Sequence, residues 1–358
     1  MSGAPRGPIS AWVRPEVRRL AGYGLPGGGE LLRLDRNESP EELPADLKSE
    51  VLSDLASARW SRYPDPYASE LKNSIAAREG LSPDSVLVGN GSNALLLSLF
   101  FAIAAPGRRI GICPPTFGLY APWIRGSESE VATFALSEES LEPPLEEMLA
   151  AAREDAHLAF MLCSPNNPTG TLFPKGGVEA LLETGALVVV DEAYAEFSGA
   201  NATGLLARHR NLVLARTFSK AAALAGVRVG YLLGAPELTA EIEKLLPPYC
   251  VNIFARTTAA ASLKEGARLR ERVAAITAER ERMKRALAAL PGARLSDSQA
   301  NFLYLRPERP AGEVYEGLRR RGVLVRRVAG TRADALRVTV GRPEENNRFL
   351  EAWKEVIA

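Results

Sequence analysis

The stretch RTFSKAAALAGVRVGY, Arg216 to Tyr231, places Lys220 just past the apolar run NLVLA, between the hydroxyls of Thr217 and Ser219 and a later arginine, Arg228. The stretch has no acidic residue. Cations among small and apolar residues require a counter-charge, and its local absence points to a partner elsewhere in the chain or to a bound group. Lys220 and Arg228 suit different work. A lysine amine joins a carbonyl compound as an imine, whereas an arginine fork beside hydroxyls holds a phosphate.

Such groups have to be held by the elements before them. SVLVG, RIGIC, HLAFMLC, ALVVVDE, NLVLART and VGYLLG read as short strands, mostly apolar on both faces and bounded by turn residues. That pattern predicts a mainly parallel sheet covered by helices on each side, with helical segments such as NALLLSLFFAIAAPG and GVEALLETG ending at glycine. Ligands of open α/β sheets lie beyond the carboxyl ends of the strands. The segments there are GNGSNALL, PPTFGLY, SPNNPTG, DEAYAEF and RTFSK, which gather Ser92, Asn93, Phe117, Asn167, Asp191, Tyr194, Ser219 and Lys220 on one rim.

GNGSNA matches the G-x-G-x-x-A of a dinucleotide turn, but that reading also needs an acid about twenty residues on. Between Ser92 and Ser127 there is no Asp or Glu. What remains is the phosphate-binding half, a glycine turn leading into a helix N-terminus. A phosphate there takes Arg228 as counter-charge, with Ser92 and Ser219 as donors. Asp191 suits a protonated ring nitrogen, Tyr194 and Asn167 a ring oxygen, and Phe117 a ring face. Pyridoxal 5′-phosphate uses all of these at once. Taken singly, Asp191 also suits a helix N-cap, Asn167 a turn, and Phe117 and Tyr120 core aromatics.

Together these motifs resemble the fold-type I pyridoxal-phosphate aminotransferases, most closely the histidinol-phosphate aminotransferases. RNESP, RYPDP, PPTFGLY, SPNNPTG, DEAYAEF, RTFSKAAALAGVRVGY, NFLYL and LRVTVG run in family order from Arg36 to Gly341. The resemblance implies Lys220 as the Schiff-base lysine, Asp191 at the pyridine nitrogen, Asn167 and Tyr194 at the ring hydroxyl, and Arg228 and Ser219 at the phosphate. It implies a homodimer in which Tyr63 of RYPDP reaches the phosphate of the neighbouring subunit. It also implies that Arg337 grips the substrate anion, Arg326 helps with a substrate phosphate, and Asn37 and Asn301 help place them, with Glu38 and Tyr23 as weaker candidates. The family commonly has tyrosine where Phe117 stands, and an acidic pair where Asn93 and Ala94 stand. The expected reaction is ping-pong transamination between glutamate/2-oxoglutarate and a phosphorylated amino alcohol, histidinol phosphate. An aromatic amino acid aminotransferase and a threonine-phosphate decarboxylase are alternatives on the same scaffold, and a non-catalytic phosphate-loop protein is a third.

The remainder of the chain sets the frame. Residues 1–35 read as an arm that joins part of a small domain, residues 36–260 as a large cofactor domain, and residues 261–358 as a small α+β domain with a connecting helix. That helix is expected from about Ala259 to Leu290, with a break at KEG, and its alternating Arg and Glu suggest a solvated face. Arg319, Arg320 and Arg321 close a later helix, where cations suit the dipole. A net charge of +1 suggests no nucleic-acid partner. Cys113, Cys163 and Cys250 form no CxxC pair, and His157 and His209 sit near no second ligand, so no metal site is expected. The longest apolar run, ALLLSLFFAIAA, is too short for a bilayer and the start lacks a signal-peptide core, so a cytoplasmic protein is expected.

Overall fold

A computed structural model describes residues 12–19, 31–328 and 334–357. Tyr23 lies outside the described residues, as does most of the expected arm. In chain order the strands are β1 (Leu32–Leu34), β2 (Val86–Gly89), β3 (Arg109–Ile112), β4 (Glu130–Thr133), β5 (Ala159–Cys163), β6 (Leu187–Asp191), β7 (Leu212–Thr217), β8 (Gly230–Gly234), β9 (Ala293–Leu295), β10 (Phe302–Pro307), β11 (Val323–Val328) and β12 (Ala335–Thr339).

β2 to β8 form a seven-stranded sheet in the order β2-β8-β7-β6-β5-β3-β4. Its pairs are parallel except the two made by β8, which runs antiparallel between β2 and β7. Alternate residues of the central strands enter opposite cores. Phe160, Leu162, Val188, Val190 and Leu214 face one cluster, while Met161, Val189, Val213 and Ala215 face the other. That two-sided burial is why these strands read as unbroken apolar runs. β4 is half-exposed along its length and carries a glutamate, so it lacks that signature.

A second, five-stranded sheet has the order β1-β11-β12-β10-β9. β1 joins it in parallel and the other pairs are antiparallel. Its core, built on Phe302, Phe349 and Trp353, also takes in Tyr194, Phe197 and Ala221 from beyond the ends of β6 and β7. The two sheets therefore meet where the rim residues lie.

The connecting helix is two helices, Ile253–Leu263 and Gly266–Ala288, with Lys264 and Glu265 between them. It begins earlier than the charge pattern implied, because the Asn252 side chain caps the first helix by accepting from the Ala255 amide at 2.8 Å. The solvated face needs a correction. Arg272 and Arg280 are buried, and their Nη1 atoms donate to the carbonyls of Ala221 (3.3 Å) and Ala300 (3.1 Å). Among the described residues no helix is long and apolar enough to cross a membrane.

Candidate active site

Asp191 closes β6, and its register with Cys163 on β5 and Ala215 on β7 sets it at the carboxyl end of the sheet. Its Oδ1 accepts the Ala193 amide at 3.0 Å, and its Oδ2 accepts the Tyr120 hydroxyl at 2.7 Å. The next helix, Ala195–Ser198, has Tyr194 at its N-cap position with no side-chain cap, so Asp191 is not that cap. Burial raises the carboxyl above the usual Asp range, opposed by these two hydrogen bonds and by the charge of Lys220. Tyr120 is fully buried in the core, as its sequence context suggested, yet its hydroxyl is the partner of the carboxylate. Phe117 is half-buried and meets Tyr120 edge-on at 5.3 Å.

Lys220 is half-buried beyond β7, and its Nζ donates to the Arg36 carbonyl at 3.0 Å. The amine lies 5.9 Å from the centre of the Tyr194 ring. Burial first, then the cations Arg337 and Arg228, lower its pKa to about 8, against the pull of Glu38 and Asp191.

One end of the rim is built to take an anion. The helix Ser92–Ile103 starts after Gly91 (φ +79°) with no side-chain cap, leaving its first amides unclaimed by a capping side chain. A Cβ on Gly91 would stand 2.8 Å from Arg228 Nη2, and one on Gly230 would fall on the Ser92 amide nitrogen, so both glycines keep this cradle open. Arg228 adopts φ +61°, and its Nη1 donates to Ser219 Oγ at 3.3 Å and to the Ala225 carbonyl at 3.0 Å. Ser92 and Ser219 are buried and Asn93 is half-buried. An open cradle with a guanidinium, together with a buried carboxylate and a neutralisable amine at neighbouring strand ends, fits pyridoxal phosphate in charge and donor type.

The five-stranded sheet adds the other wall. Arg337 on β12 is buried, and its Nη1 donates to Asn167 Oδ1 at 2.6 Å while Nη2 donates to the Asp35 carbonyl at 2.7 Å. Asn166 is the loop's fastener: its Nδ2 donates to the Pro115 carbonyl at 2.9 Å and its Oδ1 accepts from Thr116 at 2.9 Å. That leaves Asn167 to face Arg337. Arg326 on β11 is half-buried and pairs in register with Arg337. Asn37 and Asn301 are fully buried and engage protein partners: Asn37 Nδ2 donates to the Tyr194 hydroxyl at 2.9 Å, and Asn301 Nδ2 donates to the Asn37 carbonyl at 3.2 Å. Glu38 is exposed.

Two groups near the rim carried no role in the sequence reading. Thr339, in LRVTVG, bonds to Asn37, as described below. Arg216 stands in a buried cluster, with Nη1 to Glu79 Oε2 at 2.7 Å, Nε and Nη2 to Glu192 Oε2 at 2.9 and 2.8 Å, and Nη2 to Thr203 Oγ1 at 2.6 Å. The adjacent charges of DE and R at two strand ends were the available signal. Tyr63 is 82% exposed and stacked on Tyr249 with ring centres 4.6 Å apart.

Comparison with known proteins bears on the family and the fold. Residues 29–352 match the family model of class I and II aminotransferases. A histidinol-phosphate aminotransferase of Thermococcus gammatolerans is 38% identical over 341 residues, 95% of this chain and 96% of that protein. One from Desulfitobacterium hafniense is 34% identical over 357 residues, 98% of each. The fold is shared with histidinol-phosphate aminotransferase of Sinorhizobium meliloti, solved in complex with pyridoxal 5′-phosphate (TM-score 0.86, 24% identity, 98% of this chain and 99% of that one). It is also shared with a Thermus thermophilus aspartate aminotransferase double mutant (TM-score 0.79, 25% identity, 91% and 92%). The chain belongs to the class I and II aminotransferase family.

Proposed function

We propose that this aminotransferase uses pyridoxal 5′-phosphate to move an amino group between glutamate/2-oxoglutarate and histidinol phosphate, a step of histidine biosynthesis. The observation that carries the substrate is the end-to-end identity to histidinol-phosphate aminotransferases, 38% over 95% of the chain for the Thermococcus protein. When bound, the cofactor supplies an aldehyde that carries the amino group and a ring that withdraws electron density from the reacting carbon. Lys220 Nζ, with its lowered pKa, would hold the cofactor at its aldehyde carbon and would take and return the substrate's proton. Asp191 holds a proton on the ring nitrogen. Asn167 and Tyr194 address the ring oxygen, Phe117 its face, and Ser92, Asn93, Ser219 and Arg228 the phosphate. Arg337, aided by Arg326, binds the substrate anion, with Asn37 and Asn301 fixing the wall behind it. A guanidinium fork suits both a carboxylate and a phosphate, which lets one arginine serve both substrates in turn.

In this reading the enzyme is a cytoplasmic homodimer and Tyr63 serves the partner's site. Trp60, Tyr63, Tyr67, Leu245, Tyr249 and Phe254 are exposed, in two segments that meet at the Tyr63–Tyr249 stack, and a second subunit would cover them. The division at residues 35 and 260 assigns the seven-stranded sheet to the cofactor and the five-stranded sheet to substrate closure. Borohydride reduction of the cofactor-loaded protein should label Lys220, and a label elsewhere rejects the mechanism. Histidinol phosphate should outcompete phenylalanine as amino donor. Preference for phenylalanine, or carbon dioxide release from threonine phosphate, would replace the substrate while leaving the cofactor assignment intact.

A further inference from the structure

Asn37, Thr339 and Tyr194 form a closed hydrogen-bonded chain that links the start of the described core, the end of β12 and the tip of β6. The Asn37 amide donates to Thr339 Oγ1 at 2.9 Å, and the Thr339 hydroxyl donates to Asn37 Oδ1 at 3.2 Å. The Asn37 Nδ2 then donates to the Tyr194 hydroxyl at 2.9 Å. Asn37 is 0% exposed, Thr339 4% and Tyr194 4%, so water does not substitute for a missing partner. Asn37 also holds φ +54°, a left-handed conformation that asparagine tolerates better than most residues.

The direction of this chain follows from its one fixed donor. A backbone N–H can only donate, so Thr339 Oγ1 accepts it, and the single Thr339 proton goes to Asn37. The amide end that receives it must be the carbonyl. The NH2 end therefore faces Tyr194, and the tyrosine oxygen accepts. Turning the Asn37 amide over would leave the Thr339 proton buried without an acceptor, at a cost of about 1–3 kcal/mol. With its oxygen engaged as an acceptor, Tyr194 has its own proton free to donate.

We propose that Thr339 is a positioning residue: through Asn37 it keeps the Tyr194 hydroxyl as a donor toward the cofactor's ring oxygen. This rests on the reading of Tyr194 given above. The groups that face the hydroxyl are Arg337 from β12, Cys163 and Asp191 from the ends of β5 and β6, and Lys220 beside the ring. None of them sets the orientation of the Asn37 amide, which falls to Thr339.

The test uses the cofactor-loaded enzyme and two readouts other than turnover: the cofactor dissociation constant and the pH midpoint of its visible absorption band. Tyr194→Phe should raise the midpoint, because a lost donor no longer stabilises the ring oxygen's anion. Thr339→Val should raise it in the same direction and weaken cofactor binding roughly three- to ten-fold, while Thr339→Ser stays near the parent. In the Tyr194→Phe background, Thr339→Val should add nothing to the midpoint shift. If Thr339→Val does not fold, Thr339→Ala carries the same expectation. An unchanged midpoint in the threonine variants beside a shifted one in Tyr194→Phe overturns the proposal alone. An unchanged midpoint in Tyr194→Phe overturns the role of Tyr194, and the proposal with it.

Discussion

The Tyr120 hydroxyl donates to Asp191 Oδ2 at 2.7 Å inside the core, so with the Ala193 amide on Oδ1 the carboxylate at the end of β6 is held by the protein on both oxygens. A buried carboxylate held in this way stays charged more readily than burial alone allows, and its orientation is set in advance. Tyr120→Phe removes that donor and keeps the ring. The cofactor should dissociate roughly three- to ten-fold more readily, and the carboxyl's titration should move upward. Absorbance titration of the apoenzyme with pyridoxal phosphate measures the first, and unchanged affinity would show Tyr120 to be packing only.

Lys220 gives the pH dependence. Its amine is protonated below about pH 8 and increasingly nucleophilic above it, because burial and then Arg337 and Arg228 disfavour the charged form. In the apoenzyme an amine-directed reagent should therefore modify Lys220 with a midpoint near pH 8, ahead of solvated lysines. Removing a like charge favours the ammonium form, so Arg337→Gln should move the midpoint upward. Peptide mapping of the modified protein across pH 6 to 10 follows both effects.

Arg216 tests the stability of the strand ends. It sits between Glu192 on the loop after β6 and Glu79 at the end of the helix Ser69–Glu79. Arg216→Met leaves these buried acids without their cation, which should cost about 3–5 kcal/mol of unfolding free energy. Adding Glu192→Gln and Glu79→Gln should recover much of it. Urea unfolding of the three proteins gives the comparison.

Tyr63 and Lys220 belong to different subunits of one site in the dimer proposed here. Mixing inactive Lys220→Ala with Tyr63→Ala should restore activity, since each hybrid dimer regains one site with both residues intact. Activity that stays at the sum of the two parents would place Tyr63 outside the partner's site.

Much of the rim was legible because apolar strands in a covered sheet make their polar ends conspicuous. Lys220, Asp191 and Asn167 each stand at or just past such a run, and Gly91 before Ser92 marks the helix start by the freedom its backbone needs. β4 escaped because an edge strand needs no two-sided apolar pattern. Tyr120 read as a core aromatic and is one, since a ring buried for packing and a hydroxyl aimed at a carboxylate leave the same local signature.

By itself, the chain's order of residues determined the alternation of strands and helices and the polar groups at their tips, because local periodicity records which faces are buried. Only the tertiary structure decided that Arg337 meets Asn167 across 170 residues of chain, that β8 runs against its neighbours, and that Arg272 and Arg280 turn inward from a charged helix. Those contacts depend on how one sheet and its helices pack against the other, and no spacing along a single segment encodes its partner.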